Sequence, residues 1–270
     1  MIDLKSHENY RDLLLQKYIS LGNLPKPIYL YKYLSLEGGI SSLKYTNIQF
    51  SHPYTFNDIT EGRKSRFIFI GEELRKALLS PSLDFYELNK KIDARNIHLM
   101  TDEEIKNKVS DNYEKTTLCN TGIACFTLLE NSEFHWENYA NNHKGICIRY
   151  KFDDLMKFWN ANTRLFSFQG IKTLRSNHII YLNQIKPLIF AEDVKSKLLC
   201  EINWMIVKHD DYIPECEFRI YSNDCNIKND YDRIRISKKS IDKVYIGKNV
   251  QNDDKNKIEK LGFLITKTDN

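Results

Sequence analysis

A chain of 270 residues, 41% hydrophobic and 28% charged, can bury a sizeable core and needs no metal or disulfide staple to fold. Forty basic against thirty-six acidic residues leave a formal charge of +4, too small and too evenly spread for charge alone to argue nucleic-acid binding. Six cysteines, at 119, 125, 147, 200, 216 and 225, form no C-x-x-C pair or zinc-finger spacing and read as reduced thiols. With no signal-peptide core and no apolar run of membrane length, the expectation is a cytoplasmic protein without a membrane partner.

Leu4 to Leu21 has helical periodicity and stops at Gly22, Pro25 and Pro27. Ile28 to Tyr33 alternates as a strand, with Tyr29, Tyr31 and Tyr33 on one face and Leu30 on the other. A tyrosine face of this kind is either a sheet surface under a helix or a platform on which a flat ring stacks. Glu37-Gly38-Gly39 lacks the spacing and the lysine of a phosphate-binding loop. A helix from Ile40 to Tyr45 and a strand at Ile48 and Phe50 lead into the turn-rich Ser51 to Asp58, where Asn57 and Asp58 make an Asx turn or contact a ligand.

Glu72 to Val109 reads as two or three charged helices, interrupted at Ser80-Pro81 and capped anew around Thr101-Asp102. This is a helical insertion over 72–110 within one α+β domain spanning 1–270, since no repeat or low-complexity linker divides the chain. Thr121 to Thr127 returns to strand character. Further on, a helix is predicted over Asp153 to Trp159, a strand over His178 to Leu182 and a helix from Ala191 to about Val207. Strands at Glu217 to Tyr221, Ile234 to Ile236 and Ile241 to Ile246 follow, then a helix over Asn252 to Lys260 and a closing strand over Phe263 to Ile265. Strands and helices follow one another without regular βαβ order, so the expected class is α+β, with a mixed, mostly antiparallel sheet and flanking helices.

The most informative run is Phe134 to Tyr150. Asn131 or Ser132 can cap a short helix on which Trp136, Tyr139, Ala140 and His143 fall at i, i+3, i+4 and i+7 and share a face. Gly145 is expected to supply the left-handed residue that ends the helix, and Ile146 to Phe152 then alternates as a strand. Trp136 alone reads as core packing. His143 at a helix C-terminus is a proton-carrying group beside an aromatic wall.

The second constellation is Pro214 to Tyr221. Period two puts Glu215, Glu217, Arg219 and Tyr221 on one side of a strand, and Cys216, Phe218 and Ile220 on the other. The row is either an exposed, self-balanced sheet face or a carboxylate held by an arginine in a cleft, able to orient a sugar hydroxyl or stabilise a developing cation.

Leu30-Tyr31-Lys32-Tyr33, Phe50-Ser51-His52-Pro53 with Phe56-Asn57-Asp58, Cys125-Phe126-Thr127, Trp136-x-x-Tyr139-Ala140-x-x-His143-x-Gly145, Lys208 and Glu215-x-Glu217-x-Arg219 together resemble domain of unknown function 2971. That family is widespread among bacterial and phage-associated proteins. The resemblance departs at Ile59, where the family usually has proline, and at Tyr212, where it usually has tryptophan. The layout is also similar to that of DarT-like ADP-ribosyltransferases. This likeness implies NAD as substrate, with Tyr31 and Tyr33 and His52 lining a nicotinamide and ribose pocket. Lys32, Asn57, Asp58, Trp136, Tyr139 and Arg219 would be further contacts. Glu217 would be the catalytic carboxylate, with Glu215 as its rival and His143 beside them, and a nucleic acid or protein would be the acceptor. It further implies an effector of phage defence or abortive infection.

Two other classes stay open at this stage. One is a metal-dependent nuclease that gathers a magnesium-type ion on His143, Glu215, Glu217 and Asp58. The other is a non-enzymatic sensor that docks a partner through Trp136, Tyr139 and His143.

Overall fold

The structure, a computed structural model, describes residues 4–56, 66–79, 94–113, 119–161, 174–189, 194–222, 225 and 231–267. In chain order the elements are α1 (Leu4–Gly22), β1 (Tyr29–Leu34), α2 (Leu36–Tyr45), β2 (Asn47–Ser51), a 3-10 turn (Pro53–Thr55), β3 (Phe67–Ile68) and α3 (Gly71–Leu79). A 3-10 stretch (Ala94–Leu99) and α4 (Asp102–Tyr113) precede β4 (Gly122–Thr127), α5 (Glu133–Asn138), β5 (Ile146–Lys151) and α6 (Phe152–Ala161). Then come β6 (Arg175–His178), β7 (Ile180–Leu182), β8 (Leu188–Ile189), α7 (Val194–Met205), β9 (Val207–His209) and a 3-10 turn (Asp210–Glu215). The chain ends with β10 (Glu217–Ser222), β11 (Tyr231–Arg235), β12 (Ile241–Ile246), α8 (Asn252–Glu259) and β13 (Ile265–Lys267). The strand expected over His178 to Leu182 is in fact two short strands, β6 and β7, which join different sheets.

The chain forms two compact units, each drawn from three separate stretches: Met1–Leu24, His52–Thr121 and Ile180–His209 in one, Pro25–Ser51, Gly122–Ile179 and Asp210–Asn270 in the other. In the first, Tyr10 of α1 donates its hydroxyl to Asn203 Oδ1 at 2.6 Å. Asn203 Nδ2 in turn donates to the Lys186 carbonyl at 2.9 Å. Buried Arg66 donates to the carbonyls of Asn203 and Val207. These bonds satisfy polar groups that would otherwise be costly inside a core. The N-cap expected near Thr101 is a reciprocal capping box: the Thr101 N–H meets Glu104 Oε2 at 2.7 Å, and the Glu104 N–H meets Thr101 Oγ1 at 3.3 Å. Arg75 of α3 donates to Asp102 and to the carbonyls of Ile97 and Met100, tying α3 to the start of α4.

The second unit carries, among the described residues, a nine-stranded sheet with the path β11-β2-β4-β1-β5-β12-β13; β10 also pairs with β4, and β6 with β10. Every pairing in it is antiparallel except β12 with β13, so the fold class is α+β with a mixed, mostly antiparallel sheet. The alternation read from the sequence separates two cores. Leu30, Phe50, Phe126, Ile148, Phe218 and Ile220 face one side, where Leu43 of α2, Leu155 and Trp159 of α6 and Ile258 of α8 cover them. Each large apolar side chain buried there contributes roughly 1.5–3 kcal/mol. On the opposite face Tyr31, Tyr33, Cys147 and Tyr245 pack under Trp136 and Ala140. The tyrosine face is therefore largely covered.

β4 has an uneven second edge. One edge pairs with β10 from Gly122 to Thr127, whereas the other meets β1 through Tyr31 and Thr127 and meets β2 through Ser51 and Ile123. Between these two contacts the Cys125 carbonyl accepts a hydrogen bond from Lys32 Nζ at 2.8 Å. A side chain thus replaces a ladder bond where the strands fork, and a buried carbonyl keeps its partner.

Candidate active site

The antiparallel register sets Glu217 opposite Thr127 and Arg219 opposite Cys125. Glu217, Arg219 and Tyr221 then share the face of Tyr31 and Tyr33, while Phe218 and Ile220 enter the other core. Arg219 is fully buried and Glu217 is 5% exposed. The guanidinium meets both carboxylate oxygens, Nε to Oε1 at 2.6 Å and Nη2 to Oε2 at 3.0 Å. This two-point geometry suits Arg and not Lys, and it fixes the carboxylate in direction as well as charge. Burial, then the negative charge of Glu217, pushes the neighbouring Cys125 thiol well above its ordinary range. Burial also pushes the Lys32 ammonium down, while Cys125 and Glu217 draw it back up.

Glu215 does not continue the strand. It ends the 3-10 turn, and Cys216 after it has φ of 40°, a left-handed conformation uncommon for a residue with a side chain. The Cys216 N–H donates to the Ile213 carbonyl at 3.0 Å, and its own carbonyl accepts from Leu128 N–H at 3.2 Å. The expected row of Glu215, Glu217 and Arg219 along one strand face is thus corrected: the chain turns at Cys216 before β10 begins. Buried Glu215 accepts a hydrogen bond from the Tyr139 hydroxyl, 2.6 Å from Oε1. Burial and that bond to a carboxylate raise the Tyr139 phenol above its ordinary value.

Tyr139 stands just past α5. Ser132 caps this helix, its Oγ accepting from the His135 N–H at 3.4 Å. Tyr33 of β1 fixes the loop before it, donating to the Glu130 carbonyl at 2.6 Å and accepting from the Ser132 N–H at 3.1 Å. The helix ends at Asn138, earlier than the periodicity predicts. The reason lies in Asn141, Asn142 and His143, all left-handed with φ of 50°, 51° and 61°. Gly145 does not have positive φ. It is needed for close approach instead, because a Cβ there would lie 2.0 Å from the Leu34 carbonyl oxygen.

The early end of α5 divides the expected aromatic stripe. Trp136 and Ala140 are core, and His143 stacks on Trp136 with ring centroids 5.5 Å apart. His143 Nε2 pairs with Glu133 Oε1 at 2.8 Å, while its buried Nδ1 has no hydrogen-bond partner among the described residues. Tyr139, 42% exposed, points elsewhere and meets Glu215.

Of the other expected contacts, Tyr31 sits beside Glu130 and Arg149, and burial and Glu130 raise its phenol. Arg149 itself lies over the Tyr29 ring and pairs with Asp242. His52 belongs to the other unit, where it caps the 3-10 turn through Nδ1 and packs against Tyr54 and Trp204. Asn57 and Asp58 lie outside the described residues. A groove of about 390 Å³ lined by Leu36, Ile40, Lys44, Tyr45 and Asp254 shares no residue with the carboxylate cluster.

Sequence reasoning missed His135. Its ring is 5% exposed and stacks on Tyr33 at 5.0 Å and on Tyr139 at 5.5 Å. Nδ1 is 2.7 Å from Ser132 Oγ. Burial pushes its pKa down to about 4. The available signal was Ser132-x-x-His135, which has the spacing of a capping box with His at the position usually held by Glu or Gln.

Fold and cluster together define an α+β protein with two buried carboxylates on either side of a left-handed residue. The segment that carries them, residues 135–220, matches the model of DUF2971, a protein family of unknown function. That segment holds His135, Trp136, Tyr139, His143, Glu215, Glu217 and Arg219. No curated protein and no solved structure matches the chain. Among the described residues no helix is long and apolar enough to cross a membrane.

Proposed function

We propose that the chain is an ADP-ribosyltransferase-like enzyme that cleaves NAD between nicotinamide and ribose, with Glu217 and Glu215 as its carboxylates. The observation that carries this reading is the pair of buried carboxylates around Cys216, one clamped by Arg219 and the other held by Tyr139. In such a reaction the bond from ribose C1′ to the ring nitrogen breaks, its electrons leave with neutral nicotinamide, and positive charge develops on the ribose. A carboxylate already oriented and stripped of water stabilises that charge without having to reorganise. An acceptor nucleophile then bonds to C1′ and gives up its proton to a carboxylate; with water as acceptor the product is free ADP-ribose.

The metal-dependent alternative fits these contacts less well, because Arg219 takes both Glu217 oxygens and the His143 ring bonds Glu133. A role as an effector in phage defence belongs to the same reading and rests on the family resemblance. Incubating purified protein with NAD, alone and with nucleic acid or cell extract, and measuring free nicotinamide tests the reaction. Release is expected from the parent and is expected to fall at least about a hundredfold in Glu217→Gln. Full release by folded Glu217→Gln and by Glu215→Gln, or none from the parent under any condition, would overturn the assignment.

A further inference from the structure

We infer that the exposed rim around Glu215 docks a cationic segment of a partner protein that carries an apolar anchor, and that this rim turns nucleic acid away. As a statement about the acceptor it rests on the proposed reaction; as a statement about binding it does not.

Four large apolar side chains, Leu129, Phe134, Tyr139 and Ile213, are each more than a third exposed, and all four border the turn that carries Glu215. Tyr139 donates its hydroxyl to Glu215 Oε1, and the Phe134 ring lies 6.3 Å from that of Tyr139. Ile213 belongs to the same 3-10 turn as Glu215. Leu129 follows Leu128, whose N–H donates to the Cys216 carbonyl at 3.2 Å. Single exposed apolar side chains are ordinary, whereas several gathered beside buried polar groups mark a contact surface.

The frame under these side chains is fixed before any partner arrives. The Leu129 N–H donates to Thr127 Oγ1 at 3.2 Å, and Tyr33 grips the loop at Glu130 and Ser132. The Glu130 carboxylate is held by the Tyr245 hydroxyl and by Arg149 Nη1. Tyr139 stacks on His135, and Phe134 meets the same ring edge-on at 5.4 Å. Anchors on a rigid frame lose little entropy when they are covered.

The charge of the rim selects the partner. Residues 128–143 hold Glu130, Glu133 and Glu137, and residues 210–217 hold Asp210, Asp211, Glu215 and Glu217, with no lysine or arginine in either stretch, although the whole chain carries +4. Arg149 and Arg219 answer Glu130 and Glu217, and the balance stays negative. A phosphate chain needs lysine and arginine to neutralise it and finds neither in these stretches. An arginine or lysine is attracted instead, and its head or an adjoining apolar residue covers the exposed rings. The rim equally disfavours the diphosphate of NAD, which leaves this side of the acid pair to the acceptor.

The test uses fluorescence anisotropy with three labelled probes: a short peptide of arginines around one tryptophan, the same peptide with glycine for tryptophan, and a single-stranded oligonucleotide. The first is expected to bind, the glycine peptide at least about tenfold more weakly, and the oligonucleotide more weakly than the first peptide. Binding should weaken as salt rises. Phe134→Ser and Glu137→Lys should each raise Kd by about tenfold; Glu137 is exposed, so its variant keeps the fold even where loss of the Phe134 ring disturbs α5.

No binding of the tryptophan peptide by the parent, equal binding by both variants, or tighter binding of the oligonucleotide would overturn the inference. Peptide docking by a parent that releases no nicotinamide removes the reaction and leaves the docking surface standing. Nicotinamide release with ADP-ribose found on nucleic acid alone keeps the reaction and removes this rim as the acceptor side.

Discussion

The Tyr139 hydroxyl donates to Glu215 Oε1 at 2.6 Å across 76 positions of chain, from the end of α5 to the turn before β10. One partner is buried and the other is 42% exposed, so the bond links the covered acid pair to the solvent side of the unit. A hydrogen bond from a neutral donor to a charged acceptor is stronger than one between neutral groups. Tyr139→Phe is therefore expected to lower unfolding free energy by about 1–2 kcal/mol, read as a shift of the urea midpoint. A variant indistinguishable from the parent would mean that water replaces the phenol at no cost.

Arg219 should be far less tolerant. It is fully buried with a two-point bond to Glu217, and removing one partner of such a pair strands a charge in the core. Arg219→Met is expected to cost about 3–5 kcal/mol. The double variant Glu217→Leu with Arg219→Met should recover a large part of that loss, because no buried charge is then left unmatched. Chemical denaturation of the parent and both variants makes the comparison. A double variant no more stable than Arg219→Met would contradict the stranded-charge explanation.

Stability should also depend on pH through His135. In the fold its pKa is pushed from 6.5 down to about 4 by burial, so between those values the unfolded chain binds a proton that the native ring does not. Stability is then independent of this group above about pH 6.5, falls as pH drops toward 4, and levels off below. The loss across that window is of the order of 2–3 kcal/mol. Urea midpoints of the parent and of His135→Gln at about pH 7.5, 6 and 5 isolate it: the slope should be shallower in the variant, and equal slopes would rule the ring out as its source.

What could be read in the sequence was whatever depends on period. The alternation of Tyr29 to Tyr33 separates the two cores correctly, and Glu217, Arg219 and Tyr221 do share a face because β10 is regular. The positions that escaped are those where the backbone leaves its period. Cys216 turns left-handed and takes Glu215 off the strand, and Asn141 to His143 do the same beyond α5, so Tyr139 and His143 part company. Neither turn contains a glycine at its left-handed residues, so the usual marker is missing and was credited to Gly145. The tyrosine strand illustrates the other limit. Its pattern fits a covered surface as well as an open platform, and only the arrival of Trp136 and Ala140 from a distant segment decides for the covered one. His135 lay in plain view but off the helical stripe. Its burial comes in part from stacking on Tyr33 of β1, far earlier in the chain and beyond the reach of any local pattern.

The interleaving of the chain bears on the order in which the protein is made. The unit holding the carboxylates draws on 25–51, 122–179 and 210–270, and its sheet pairs late strands with early ones: β10 with β4, β11 with β2, β12 with β5. A ribosome-bound chain can pair β1 with β5 once residues 146–151 emerge, yet it has no partner for the long edge of β4 until residues 217–222 emerge. Contacts so distant in sequence also make for slow folding. The acid pair therefore comes into being only near the end of synthesis, and a prematurely terminated chain lacks it altogether.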